Sequence, residues 1–126
     1  MKSLSDIVLL YVEDSYNAQE TLKLILEDEI KELYQAYNGQ EALEIYKKER
    51  IDIVITDLHM PDIDGFNFAK IIKKINYKQP IIIISGFDMK QESIKFKNIK
   101  INHFLSKPLN IDVLLQKLEQ IIQQSK

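Results

Sequence analysis

Short continuous apolar runs alternate with stretches of helical period along most of this chain. Ile7 to Val12 (IVLLYV) is too short for a helix and is bounded by Asp6 and by Glu13-Asp14, the pattern of a parallel strand covered on both faces. From Asn17 the period changes: Ala18, Leu22, Ile25 and Leu26 fall on one helical face, with Asn17 as the expected N-cap. Leu33 to Ala36 predicts a second strand of mixed polarity. Asn38-Gly39 then breaks the chain, and Glu41 follows Asn38 at capping-box spacing. The helix so started carries Ala42, Leu43, Ile45 and Tyr46 and runs to about Lys48. Ile53 to Asp57 predicts a buried third strand that ends on a carboxylate. An acidic loop closed by Asp64-Gly65 leads into a helix from about Phe66 to Lys74, with Phe66, Ala69, Ile72 and, at its margin, Ile75 expected to face inward. Pro80 introduces Ile81 to Ile84, a fourth strand ending on Ser85-Gly86. Asp88 to about Lys97 predicts a short polar helix, and Ile101 to Leu105 a mixed last strand. The last helix, about Asn110 to Gln123, places Ile111, Leu114, Leu115, Leu118, Ile121 and Ile122 on one wide apolar face.

Strands alternating with helices in this way predict an α/β fold: a five-stranded parallel sheet, five helices and right-handed crossovers. The strands beginning near Ile7, Ile53 and Ile81 are wholly apolar and belong in the centre; those near Leu33 and Ile101 are mixed and belong at the edges. The doubly wound order 2-1-3-4-5 satisfies that assignment. Composition narrows the picture further. A length of 126 residues points to one domain spanning residues 1–126, with enough buried surface for a core without staples. A net charge of −2 gives no general attraction to nucleic acid or to an anionic membrane. The absence of cysteine excludes disulfides and thiolate chemistry. No apolar run has the length of a spanning helix and no signal peptide is visible, so a cytoplasmic protein is expected.

The candidate chemistry lies at the carboxyl ends of the strands. The first delivers Glu13-Asp14, the third Asp57, the fourth Ser85 and the fifth Ser106-Lys107-Pro108. In a parallel sheet these ends share one edge, so three carboxylates, a hydroxyl and an ammonium converge there. Clustered acids repel one another, and a divalent cation relieves that repulsion; all-oxygen ligands suit Mg2+, with Mn2+ able to replace it. Such a site suits phosphoryl transfer to a carboxylate. Asp57, ending the middle strand, is the expected nucleophile. Asp14 is the expected direct metal ligand, and Glu13, one residue earlier, is expected to point elsewhere and bind through water or reach round the rim. Ser85 can hydrogen-bond a phosphoryl oxygen, and Lys107 can pair with Asp57 or with the phosphoryl group it carries.

The motifs YVED (Tyr11 to Asp14), ITDLHMPDIDG (Ile55 to Gly65), IISG (Ile83 to Gly86) and FLSKP (Phe104 to Pro108) occur in this order across almost the whole chain. Taken together they resemble the receiver domain of bacterial two-component response regulators. The resemblance implies a flavodoxin-like fold and phosphorylation of Asp57 by a histidine-kinase phosphohistidine, with Mg2+ as cofactor. It implies that the backbone carbonyl of His59 completes the protein ligands of the metal beside Glu13, Asp14 and Asp57. Phe104 falls at the aromatic switch position, which turns inward as Ser85 moves toward the phosphoryl group. His59 and Phe87 fall at positions that tune phosphoryl lifetime, and bulky Phe87 is expected to hinder the attacking water. The expected partners are a sensor histidine kinase or phosphotransfer protein, and a downstream protein or an output domain missing from these residues. They would read the face of the fourth helix, last strand and last helix, on a monomer or a phosphorylation-dependent dimer. In this reading the protein is a phosphoacceptor that catalyses its own modification rather than an enzyme turning over a substrate.

The chain departs from the family pattern at several points. Glu13 stands where Asp is commoner, Ser85 where Thr is frequent, and Phe104 lacks the hydroxyl of a Tyr. The segment Asn98-Ile99-Lys100-Ile101-Asn102 has no Gly where the family turns into its last strand. Three other readings compete. A Mg2+-dependent phosphohydrolase would carry Asp-x-Asp, which Asp57-Leu58-His59 does not supply. A flavin-binding protein would need a Ser/Thr/Gly-rich phosphate loop where this chain has EDSYN. A receiver-like module that is never phosphorylated has no reason to keep Asp14, Asp57 and Lys107 together.

Overall fold

Burial of β-branched and aliphatic side chains on both faces organises the sheet. The computed structural model describes residues 3–86 and 94–125. A short 3-10 turn at Leu4–Asp6 precedes β1 (Val8–Val12), α1 (Tyr16–Leu26), β2 (Glu32–Ala36), α2 (Gly39–Lys48), β3 (Ile53–Asp57), α3 (Gly65–Ile75) and β4 (Ile81–Ser85). Helical residues 94–97, here α4, lead to β5 (His103–Ser106) and α5 (Ile111–Gln124). All neighbouring strands are parallel and their order is β2-β1-β3-β4-β5, as the strand polarities predict. Every residue of β3 and β4 is buried, whereas β2 and β5 keep partly exposed positions, as edge strands do.

Alternate residues of each strand feed two separate cores. Leu9, Tyr11, Ile53, Ile55, Ile82 and Ile84 pack against Leu22 and Leu26 of α1 and against Leu114, Leu118, Ile121 and Ile122 of α5. Leu10, Val12, Val54, Ile81 and Ile83 pack on the other side against Ala42, Phe68, Ala69, Ile72 and Phe96. Helices on both faces leave one open edge of the sheet, the carboxyl ends of its strands, for chemistry.

Several local expectations need correction. Ser15, not Asn17, caps α1: its hydroxyl accepts from the Ala18 N–H at 3.2 Å. The helix therefore starts before its apolar period does, because its first turn faces outward. Asn38 does cap α2, accepting from the Glu41 N–H at 2.8 Å, but the Glu41 carboxylate reaches back to Tyr37 N at 3.3 Å. On α3 the inward face is Gly65, Phe68, Ala69 and Ile72, spaced three, four and seven residues from its first member. Ile75 is exposed, and Phe66 is half-buried, edge-on to Phe96 with ring centroids 5.2 Å apart. Of the expected helix from Asp88 to Lys97, residues 88–93 lie outside the described residues.

The last strand starts at His103, two residues later than Ile101, because the backbone before it is used to close α4. The N–H groups of Ile99 and Ile101 donate to Phe96 O and that of Lys100 to Lys97 O. Lys100 holds φ 64, the left-handed region that a Gly would take without a Cβ penalty. That conformation costs a non-Gly residue about 1–2 kcal/mol, and the extra chain entropy of Gly offsets about half of the gain. Lys100→Gly is therefore expected to stabilise the protein by about 0.5–1 kcal/mol. A melting temperature equal to or below that of the wild type would contradict this account of the turn.

Candidate functional site

Four of the five strands deliver polar groups to the open edge, and β2, which ends on Ala36, delivers none. Asp57 is the last residue of β3 and pairs in register with Ile84, so Ser85 stands one step further along β4, opposite Ser106. Glu13 and Lys107 follow directly on the ends of β1 and β5. Glu13 and Asp57 are each 4% exposed and Ser85 is fully buried, while Asp14 is open to solvent. Carboxylate oxygens of Glu13, Asp14 and Asp57 all lie within 4.8 Å of one another. The Lys107 ammonium lies 2.8 Å from Asp57 Oδ2 and 3.6 Å from Glu13 Oε1.

Glu13 does not point elsewhere, as its place before Asp14 suggested. The chain turns immediately after β1, the Ser15 N–H donates to Glu13 Oε2 at 3.0 Å, and the longer side chain is folded in beside Asp57. Burial pushes the Glu13 carboxyl above its ordinary value. The neighbouring Asp14 carboxyl and the charge of Asp57 act in the same direction, against the Ser15 N–H and Lys107. Burial works to lower the Lys107 ammonium, but its hydrogen bond to Asp57 and the charges of Asp57 and Glu13 outweigh that and raise it. The ammonium thus stays charged as the counter-ion of two buried carboxylates.

The loop after Asp57 is held on both sides. The His59 N–H faces Asp57 Oδ1 at 3.4 Å, and the Thr56 hydroxyl donates to the Asp57 carbonyl at 3.0 Å and faces Met60 Sδ at 3.6 Å. The Gly65 N–H donates to Leu58 O at 2.7 Å, drawing the start of α3 against the strand end. Asp62 reaches across to α2, where its two oxygens accept from the N–H groups of Gly39 and Gln40, both at 2.9 Å. On the far side, the Lys107 N–H donates to Ser85 O at 3.0 Å, and the Lys107-Pro108 peptide is cis. A cavity of about 590 Å³ opens beside the acids, lined among others by Tyr11, Glu13, Asp14, Lys107 and Pro108. Burial, then the charges of Glu13 and Asp57, push the Tyr11 hydroxyl well above its ordinary value, so it remains a protonated donor there.

The sequence-predicted residues Glu13, Asp14, Asp57, Ser85 and Lys107 share this edge. His59 is exposed on the loop directly after Asp57. Phe104 is half-buried on β5, its ring centroid 5.6 Å from that of Phe96 in an edge-on arrangement. Phe87 lies outside the described residues. Reasoning from sequence missed Gln19, Asp62 and Phe96. Gln19 carries a readable signal, a polar residue on the stripe shared with Leu22 and Leu26. Asp62 carries none, since its partner helix is distant in the chain.

Asp62 supports a pH-dependent prediction. Burial acts to raise its carboxyl, but the N–H groups of Gly39, Gln40 and Ile63 outweigh that and lower it. A carboxyl depressed on folding stabilises above its ordinary value of 3.8 and loses that contribution as pH falls through the folded value. Allowing for its exposure, Asp62→Ala should cost about 0.5–1 kcal/mol at neutral pH, with the gap to wild type closing under strongly acid conditions. Melting curves at pH 7 and at pH 3 test this; a gap that is the same at both pH values would refute the carboxylate's part in it.

Among the described residues, Glu13, Asp14 and Asp57 form a group suited by its oxygen donors to a hard divalent cation. No described helix is long and apolar enough to cross a membrane. A family model for the response regulator receiver domain matches residues 9–119. Among curated proteins, the cell cycle response regulator CtrA of Brucella ovis is 25% identical over 118 residues, 94% of this chain and 51% of that protein. The chain thus spans about half the length of the curated relatives it matches. Among solved structures, the chemotaxis protein CheY4 of Vibrio cholerae superposes with TM-score 0.86 at 28% identity, over 92% of this chain and 98% of that one. The non-phosphorylated HemR receiver domain of Leptospira biflexa gives TM-score 0.84 at 30% identity, over 93% of this chain and 94% of that one.

Proposed function

Since this chain belongs to the response regulator receiver family, whose members are phosphorylation-dependent signalling switches, we propose that Asp57 is its phosphoacceptor. The observation that carries this is the placement of Asp57 Oδ2, 2.8 Å from the Lys107 ammonium and amid the oxygens of Glu13 and Asp14. The donor is a phosphohistidine of a sensor kinase or phosphotransfer protein. Asp57 attacks phosphorus, the P–N bond to the imidazole breaks, and the imidazole leaves as the neutral ring after taking a proton. Glu13, Asp14, Asp57 and the backbone carbonyl of His59 would hold a Mg2+ ion, which would supply charge neutralisation for the phosphoryl oxygens. Lys107 offers a second cation and remains paired with the modified group.

Once phosphorylated, Asp57 presents oxygens that the Ser85 hydroxyl can bond, and Phe104 turns inward as Ser85 moves toward them. The surface altered is α4, β5 and α5, where a cavity of about 620 Å³ is lined by Ile94, Lys97, Lys100, Ile101, Asn102 and Phe104. A downstream protein or a further domain reads that surface. Residues 1–126 act as one receiver unit, and His59 and Phe87 set how readily water reaches the phosphoryl group. Site mapping tests the assignment: hydride reduction of the phosphoprotein converts an aspartyl phosphate to homoserine, and peptide sequencing locates it. Homoserine at position 57 is expected. Modification at any other residue, or steady turnover of a small phosphoester, would overturn it.

A further inference from the structure

Gln19 is fully buried on the apolar face of α1, where a side-chain amide is costly unless its hydrogen bonds are met. Its Nε2 lies 3.1 Å from the carbonyl of Tyr11, 3.1 Å from that of Glu13 and 2.8 Å from that of Ala36. Two N–H groups are thus spread over three carbonyls from β1, the turn after it and the end of β2. From the edge strand, Gln35 Nε2 donates to Gln19 Oε1 at 3.1 Å and to the Gln19 backbone carbonyl at 3.2 Å. That contact settles the orientation of the amide: Oε1 takes the Gln35 donor, so the NH2 faces the carbonyls.

What Gln19 holds is the start of the acid turn. The Glu13 N–H donates to Ala36 O at 3.0 Å, and the Glu13 carbonyl accepts from Gln19. The carbonyl belongs to the peptide that joins Glu13 to Asp14, so fixing it at both ends of residue 13 sets where both carboxylates stand. We propose that Gln19, oriented by Gln35, is a positioning residue for the acid site. It holds the Glu13–Asp14 peptide so that both side chains meet Asp57, and by that route it sets the affinity for a divalent cation. This rests on the metal reading given under Proposed function. Groups that orient metal ligands without touching the ion change metal affinity by about 10–100-fold when removed.

Calorimetric titration with Mg2+ alone tests the proposal on the full chain, comparing wild type with Gln19→Met, Gln35→Ala and Leu118→Ala. Met keeps the length and apolar volume of Gln19 but donates no hydrogen bond. Leu118→Ala cuts the core shared by α1 and α5 away from the acids and serves as a control for lost stability. Gln19→Met is expected to weaken Mg2+ binding about 10-fold or more, Gln35→Ala by a smaller factor, and Leu118→Ala not at all despite its lower melting temperature. If Gln19→Met does not fold, Gln35→Ala decides alone. Wild-type affinity in the Gln variants, or equal weakening in Leu118→Ala, overturns the proposal and leaves the metal reading standing. A wild type that binds no Mg2+ removes the metal reading and this inference together.

Discussion

Lys107→Met is expected to slow phosphoryl transfer to Asp57 by about 10²–10³-fold, the scale of removing one preorganised charge from a transition state. In the resting protein the ammonium sits 2.8 Å from Asp57 Oδ2 and 3.6 Å from Glu13 Oε1. Both carboxylates are buried, and Lys107 is the cation their charges hold in its ionised form. In the proposed transfer, negative charge spreads over the equatorial oxygens as Asp57 attacks phosphorus, and an ammonium already in place needs no reorganisation to meet it. Met has similar length and no charge, so the change isolates electrostatics from packing. The Lys107 side chain is 43% exposed, but its removal leaves two buried carboxylates unpaired, so a melting curve of Lys107→Met accompanies the rate measurement. Initial rates of phosphoprotein formation at saturating Mg2+ and donor provide the measurement. A Lys107→Met rate within a few-fold of wild type would remove Lys107 from the transition state.

Gly65→Ala is expected to destabilise the protein by about 2–3 kcal/mol, against the usual direction for a glycine within a helix. Helix propensity alone favours Ala by up to about 1 kcal/mol. A Cβ at position 65, however, would stand 2.6 Å from the Asp57 carbonyl oxygen and 2.9 Å from Leu58 Cα. Those are backbone atoms at the end of β3 and just beyond it, and they cannot rotate aside. Gly39 makes the contrast. Its nearest obstacle is the γ2 methyl of Ile63, a side-chain rather than a backbone atom, so Gly39→Ala should cost less. Chemical denaturation of both variants checks the ordering. A Gly65→Ala protein as stable as wild type would show that α3 can withdraw from Asp57 without penalty.

The sheet was legible because its strands differ in character. The wholly apolar runs from Ile7, Ile53 and Ile81 belong to β1, β3 and β4, at the centre of the observed order. The mixed runs became the edges β2 and β5. Since parallel strands share one carboxyl edge, the meeting of Glu13, Asp14, Asp57, Ser85 and Lys107 followed from sequence position alone. What escaped depends on rotation about a helix axis or on contacts distant in sequence. Phe68 rather than Phe66 faces the core because α3 begins at Gly65, pressed onto Leu58. The inward turn of Glu13 depends on the Ser15 N–H, a backbone donor that no residue pattern announces. The Asp62 link to α2 joins residues 23 positions apart, and the reach of Gln19 to Ala36 spans 17.

Asp57 is expected to accept a phosphoryl group with help from a divalent cation. Intact mass of the protein after incubation with a small acyl phosphate or phosphoramidate, with Mg2+ and with a chelator instead, tests it directly. Wild type should gain the mass of one HPO3 unit with Mg2+ and none with the chelator, and Asp57→Asn should gain none under either condition. The same gain in Asp57→Asn, or a wild-type gain indifferent to the cation, would contradict the account.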